Sequence, residues 1–132
     1  MIGSSSITVT ELGRMRLSNN TRVHTLKIVD AATGVDVVNA SVNVSLEGQA
    51  IGQFVYAKLP TAVTLAANRA YFIVSSESVV QNAGDFFYDW DGYSQTTGVA
   101  ALQGGVYWSG RWTALGSTNQ MIGPVSFKYR TN

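Results

Sequence analysis

The chain of 132 residues is long enough for one domain with its own core, because a compact chain of this size buries roughly two-thirds of the surface it exposes when unfolded. Net charge is +1, from nine Lys plus Arg against eight Asp plus Glu, so no global field draws in nucleic acid or an anionic membrane. Cysteine is absent, which removes disulfides and thiol chemistry, and no apolar run approaches the ~20 residues that a membrane helix needs.

Charged residues make up only 13% of the chain against 45% hydrophobic, so the surface must be built largely from Ser, Thr, Asn, Gln and Gly. Met1-Ile2-Gly3 is not a basic stretch leading into an apolar one, and no signal peptide is visible. If the protein is secreted, its export signal is expected to lie outside this chain.

In chain order, apolar residues recur at period two and Gly, Asn and Ser interrupt them every few residues, which predicts strands rather than helices. The first candidates are Ile7 to Leu12 and Gly13 to Leu17, followed by Arg22 to Asp30. In the last of these, His24 shares a face with Leu26 and Ile28 and reads as a satisfied, half-buried histidine. Asp30-Ala31-Ala32-Thr33-Gly34 predicts a hairpin turn whose glycine takes a positive φ. Next comes Ala40 to Glu47, with Ala40, Val42, Val44 and Leu46 facing a core and Ser41, Asn43, Ser45 and Glu47 facing water.

Gln53 to Leu59 and Tyr71 to Glu77 continue the series, separated by a turn at Asn68. Asp85 to Trp90, Val99 to Leu102, and Val106 to Leu115 with a turn inside follow. Gly104-Gly105 and Ser109-Gly110 read as tight turns. Val125, Phe127 and Tyr129 alternate with Ser126, Lys128 and Arg130 in a last strand that should close one sheet. About ten short strands in one uninterrupted unit, residues 1–132, predict an all-β, antiparallel sandwich of jelly-roll type.

Aromatic residues crowd into Phe86-Phe87-Tyr88-Asp89-Trp90-Asp91-Gly92-Tyr93 and Tyr107-Trp108-Ser109-Gly110-Arg111-Trp112, more than one core easily hides. Core filling is the favoured reading for Phe86, Phe87 and Tyr88. Trp90, Trp108 and Trp112 stand beside turn residues and, with Tyr93, are the candidate stacking surfaces for a pyranose, whose C–H face suits a flat apolar ring. Asp89, Asp91 and Arg111 are the candidate polar partners for sugar hydroxyls, and Arg111 is the residue suited to a uronate or pyruvate substituent on an anionic polysaccharide. A solvated arginine guarding a strand edge is the competing reading for Arg111.

Asp89-Trp90-Asp91-Gly92 has part of the shape of a calcium loop, which makes Asp85, Asp89 and Asp91 candidate calcium ligands. The remainder of a twelve-residue loop is missing, and aspartates that cap turns or meet hydroxyls are the alternative. Catalysis has little to stand on. His24 lacks a sequence motif that would supply a partner, and a glycosidic pair drawn from Asp85, Asp89 and Glu77 would have little chain left to build a cleft around it.

The segments Ile7 to Arg14, His24 to Gly34, Tyr71 to Glu77, Gly84 to Asp89 and Gly123 to Phe127 resemble, in this order, an accessory module of large secreted bacterial enzymes, including Paenibacillus-type xanthan-degrading glycoside hydrolases. The resemblance implies a non-catalytic carbohydrate-binding module with a β-sandwich fold. Such a module holds the catalytic domain of the same parent chain on a polysaccharide such as xanthan, outside the cell. Calcium at Asp85, Asp89 and Asp91 aside, no cofactor is expected, and the charge balance makes neither nucleic acid nor a membrane an expected partner. The alternative is a spacer sandwich without sugar binding. Two departures stand out: the family has a further strand ahead of the Ile7 segment, where only Met1 to Ser6 precede it, and it often carries Trp where Phe86 or Phe87 stands.

Overall fold

The computed structural model describes residues 1–18, 20–77, 91–92, 98–116 and 120–132, residues 91, 92, 121 and 122 by their backbone alone. The chain is all-β and its sheets are antiparallel. Among the described residues ten strands follow one another: β1 (Ile7–Met15), β2 (Val23–Asp30), β3 (Asp36–Ser45), β4 (Phe54–Leu65), β5 (Tyr71–Ser75), β6 (Asp91–Gly92), β7 (Gly105–Trp108), β8 (Trp112–Leu115), β9 (Met121–Ile122) and β10 (Val125–Thr131). They form two three-stranded sheets, β10-β1-β4 and β3-β2-β5, and two two-stranded ladders, β6-β9 and β7-β8.

One apolar cluster draws on both three-stranded sheets: Ile7, Val9 and Leu12 from β1, with Leu59, Val63 and Leu65 from β4, meet Leu26 and Ile28 from β2, with Ala40 and Val44 from β3. Leu46 joins them, so the inward set expected from the alternation of residues 40–47 is the set that is buried, with Val42 half-buried beside it.

The two segments expected over Ile7 to Leu12 and Gly13 to Leu17 are one continuous strand with an irregularity at Thr10. There Val9 pairs with Tyr129 while Glu11 pairs with the adjacent Lys128, so Thr10 is an extra residue. The bulge changes the phase of the strand, and Ile7, Val9, Leu12 and Arg14 all end up buried. On β4 the same irregularity spans more chain, since Val9 pairs with Val63 and Glu11 with Lys58. Pro60, which has no N–H to give a ladder, lies within this interruption, and the strand runs on to Leu65 instead of ending at Leu59.

Gly13 is outward-facing yet buried, because the ring of Tyr56 lies on it: a Cβ at Gly13 would stand 2.5 Å from Tyr56 Cε1. Tyr56 thus crosses β1 from β4, donates a hydrogen bond to Ser126 Oγ on β10 at 3.1 Å, and carries Lys128 Nζ 4.4 Å from its ring centroid. Gly34 closes the β2–β3 turn with φ 71°, and Asp30 Oδ1 accepts hydrogen bonds from the Ala32 and Thr33 amides. Asn68 takes φ 55° in the turn before β5, as its position predicts.

Two expectations are corrected. Val99 to Leu102 is not a strand; only Ala100 forms a bridge, to Ile2, flanked by hydrogen bonds from Gly3 N to Val99 O and from Ala101 N to Met1 O. His24 is fully buried rather than half-buried, for a reason given by its neighbours below. The expected strand Asp85 to Trp90 lies outside the described residues.

Candidate functional site

The hairpin β7–β8 carries the aromatic residues that the sequence singles out. Trp108 and Trp112 are direct partners in its ladder, which puts both indoles on one face, and Tyr107, paired with Thr113, points to the other. The turn between them is Ser109-Gly110-Arg111, with Gly110 at φ 74°. Trp108 and Trp112 have ring centroids 5.0 Å apart and planes inclined by 59°.

Trp112 then packs on Phe72 of β5, at 5.3 Å and 47°. Its other flank meets the β2–β3 turn, where a Cβ at Gly34 would lie 3.4 Å from Trp112 Cδ1 and 3.5 Å from Nε1. Nε1 itself is buried and finds no hydrogen-bond partner among the described residues. The hairpin therefore lies against the outer face of the β3-β2-β5 sheet, where Phe72 pairs directly with Val29. Val29 is fully buried without belonging to the cluster between the sheets; its ladder partner Phe72, with Trp112 packed on Phe72, forms a second, smaller apolar layer on that face.

The layer is graded in exposure. Val29 is sealed, Phe72 and Trp112 are half-buried, and Trp108 leaves 59% of its surface open. Trp112 thus fixes the position of Trp108 and contributes less open surface itself. Arg111 is exposed in the turn between the two indoles. On the same outer face of the sheet, one step along β2 from Val29, Lys27 Nζ bridges the two carboxylate oxygens of Asp36 at 2.7 and 2.9 Å. That pair offers both a cation and an anion beside the aromatic layer.

Of the sequence candidates, Trp108, Arg111 and Trp112 are brought together here. The backbone of Asp91 lies in β6, paired with Ile122. Asp85, Asp89, Trp90 and Tyr93 lie outside the described residues, as do Phe86, Phe87 and Tyr88. Among the described residues, no group of three or more His, Asp or Glu is arranged to hold a metal ion. The residues that sequence reasoning missed are Phe72, Val29 and Gly34. A signal for the first two was present: Tyr71-Phe72-Ile73-Val74 is a continuous apolar run, which marks a strand covered on both faces.

A second polar constellation is buried at one end of the molecule. Arg14 of β1 donates from Nε and Nη2 to the two carboxylate oxygens of Glu77, at 2.9 and 3.0 Å, from Nη2 to Asn20 Oδ1 at 3.0 Å, and from Nη1 to the Met15 carbonyl at 2.6 Å. His24 Nδ1 lies 2.6 Å from the Ser76 carbonyl oxygen, which can only accept, so Nδ1 carries the hydrogen. The same nitrogen is 3.5 Å from Glu77 Oε1.

Burial works against the charge on Glu77, but the His24 and Arg14 hydrogen bonds and the Arg14 charge outweigh it and hold its pKa down at about 2. Burial likewise opposes the imidazolium of His24, while the hydrogen bond and charge of Glu77 and the Ser76 carbonyl together raise its pKa above the ordinary value. Arg14, Asn20, His24 and Glu77 are each engaged by a neighbour, so the constellation ties β1, β2 and the exit of β5 together.

Comparison with protein-family models, with curated proteins and with solved structures gives no match for this chain.

Proposed function

We propose that the chain is a non-catalytic carbohydrate-binding module, a jelly-roll-like β-sandwich that anchors a secreted bacterial polysaccharide-degrading enzyme to a polymer such as xanthan. The observation that carries this reading is the open indole of Trp108, packed on Trp112, which is itself held by Phe72 and the Gly34 turn. An apolar ring of this size left in water costs free energy that a bound pyranose face would recover, and the rings beneath it remove the entropy of holding it in place. Arg111 and the Lys27–Asp36 pair supply hydrogen-bonding groups beside it. The catalytic domain of the parent chain is the partner that this role requires.

Electrophoresis of the protein through gels containing xanthan tests the reading. Mobility should fall as polymer is added, and Trp108→Ala should restore it. Equal retardation of the variant and the parent protein would remove the site from consideration. A spacer role is the second reading, favoured by the packing of Trp112 on Phe72, the ladder partner of the buried Val29, which gives the hairpin a packing function of its own.

A further inference from the structure

The geometry of the hairpin points to the form of carbohydrate it takes. We infer that the site stacks against a single sugar ring of a soluble, separated chain rather than against the flat face of a crystalline polysaccharide. This rests on the reading of the hairpin as a sugar site and narrows it.

To lie on a crystalline face, a protein needs two or more open rings sharing one plane, because the sugar rings of that face are themselves coplanar. Trp108 and Trp112 fail both conditions. Their planes are inclined by 59°, so a surface that lies flat on one indole meets the other at a steep angle. Their exposure is also unequal: Trp108 is open, while Trp112 is held between Phe72 and Gly34 with Nε1 buried.

Tyr107 is 45% exposed and is the remaining open ring of the hairpin, but its place in the ladder turns it to the opposite face. On the face that bears the tryptophans, the described residues therefore offer one wet ring with an inclined wall beside it. That is a seat for one pyranose, whose face covers Trp108 while its edge meets Trp112. Arg111 in the turn and the Lys27–Asp36 pair on the adjoining sheet add polar groups, and none of them extends the flat surface.

The inference predicts how affinity depends on ligand length. Contacts to one ring are complete with a short fragment, and further units add little beyond the statistical gain of more equivalent seats. The test is calorimetry of the intact chain with xanthan fragments of graded length, together with sedimentation on microcrystalline cellulose. Per-site affinity should change by less than about threefold between the shortest fragment that binds and the longest, and no protein should sediment with cellulose.

A rise of about tenfold or more with length, or Trp108-dependent retention on cellulose, would overturn the single-ring inference while leaving sugar binding in place. Loss of all retardation in xanthan gels would overturn both. Trp108→Phe, which keeps a smaller flat ring, should retain part of the affinity that Trp108→Ala abolishes, separating ring contact from damage to the hairpin.

Discussion

Arg14 and Glu77 face each other through two parallel hydrogen bonds, at 2.9 and 3.0 Å, although one lies on β1 and the other just beyond β5, a strand of the other three-stranded sheet. Arg14 is fully buried and Glu77 nearly so. A charge taken out of water costs several kcal/mol unless a partner replaces the lost hydration, and removing one partner of a buried pair costs about 3–5 kcal/mol. Glu77→Gln should therefore lower stability by an amount in that range, measured by urea denaturation at neutral pH. A loss under about 1 kcal/mol would mean that water reaches Arg14 and that the pair contributes as a surface ion pair does.

The same constellation gives the stability a maximum in mildly acidic solution. Glu77 has a folded-state pKa of about 2, lowered from 4.5, so its contribution is present above pH 4.5 and is lost as pH falls toward about 2. His24 is shifted the other way. Its contribution is complete below the ordinary histidine value of 6.5 and disappears as pH rises through its raised folded-state value. Both are present together between about pH 4.5 and 6.5, and thermal unfolding followed across pH 2 to 9 should show the highest midpoint there. In His24→Gln the alkaline decline should flatten while the acid limb remains.

How much of this was legible in the sequence depends on what each position required. Period two placed β2, β10 and the second half of β3, which starts at Asp36 rather than Ala40, and assigned Ala40, Val44 and Leu46 to the core, because one face of each strand is wet and the other dry. It could not place Arg14. Plain alternation from Ile7 and Val9 continues through Glu11 and Gly13, and only the extra residue at Thr10 turns Leu12 and Arg14 inward. A bulge is set by pairing with two neighbouring strands, which a single strand's pattern does not contain. Nor does the pattern show the full burial of His24, since its partner Glu77 lies far along the chain and meets it only across the fold. At the site, turn residues around Trp108 and Trp112 marked the hairpin correctly, but the docking of Trp112 on Phe72 is a tertiary contact between distant segments.

Trp108 and Trp112 should separate when each is truncated. Trp108→Ala removes an open ring and should alter stability by less than about 1 kcal/mol, whereas Trp112→Ala opens a gap against Phe72 and Gly34 and should cost about 2–3 kcal/mol, less than the full burial of a tryptophan would. Guanidinium unfolding of both variants checks the difference. Equal losses would show that the outer indole is as much a part of the packing as the inner one.

Gly34→Ala tests the seat from the sheet side. The residue has φ 71°, a conformation that costs a side chain about 1–2 kcal/mol, and the added methyl would touch the indole at 3.4 Å. The turn should shift toward Trp112 or push it outward, so tryptophan fluorescence should change along with a loss of stability of that order.

Gly13 answers to a different neighbour, and its substitution isolates the opposite face of the molecule. A Cβ there would fall 2.5 Å from Tyr56 Cε1, so in Gly13→Ala the ring has to leave β1, giving up its hydrogen bond to Ser126 and its contact with Lys128. Forcing a methyl into a filled space costs about 1–3 kcal/mol. In Tyr56→Phe the ring stays and only the hydroxyl is lost, at about 1 kcal/mol. Combining Gly13→Ala with Tyr56→Ala should recover part of the glycine penalty, because the methyl then enters vacated space. If the double substitution instead costs the sum of the two single ones, the ring is not what excludes a side chain at position 13, and backbone strain in β1 must take its place.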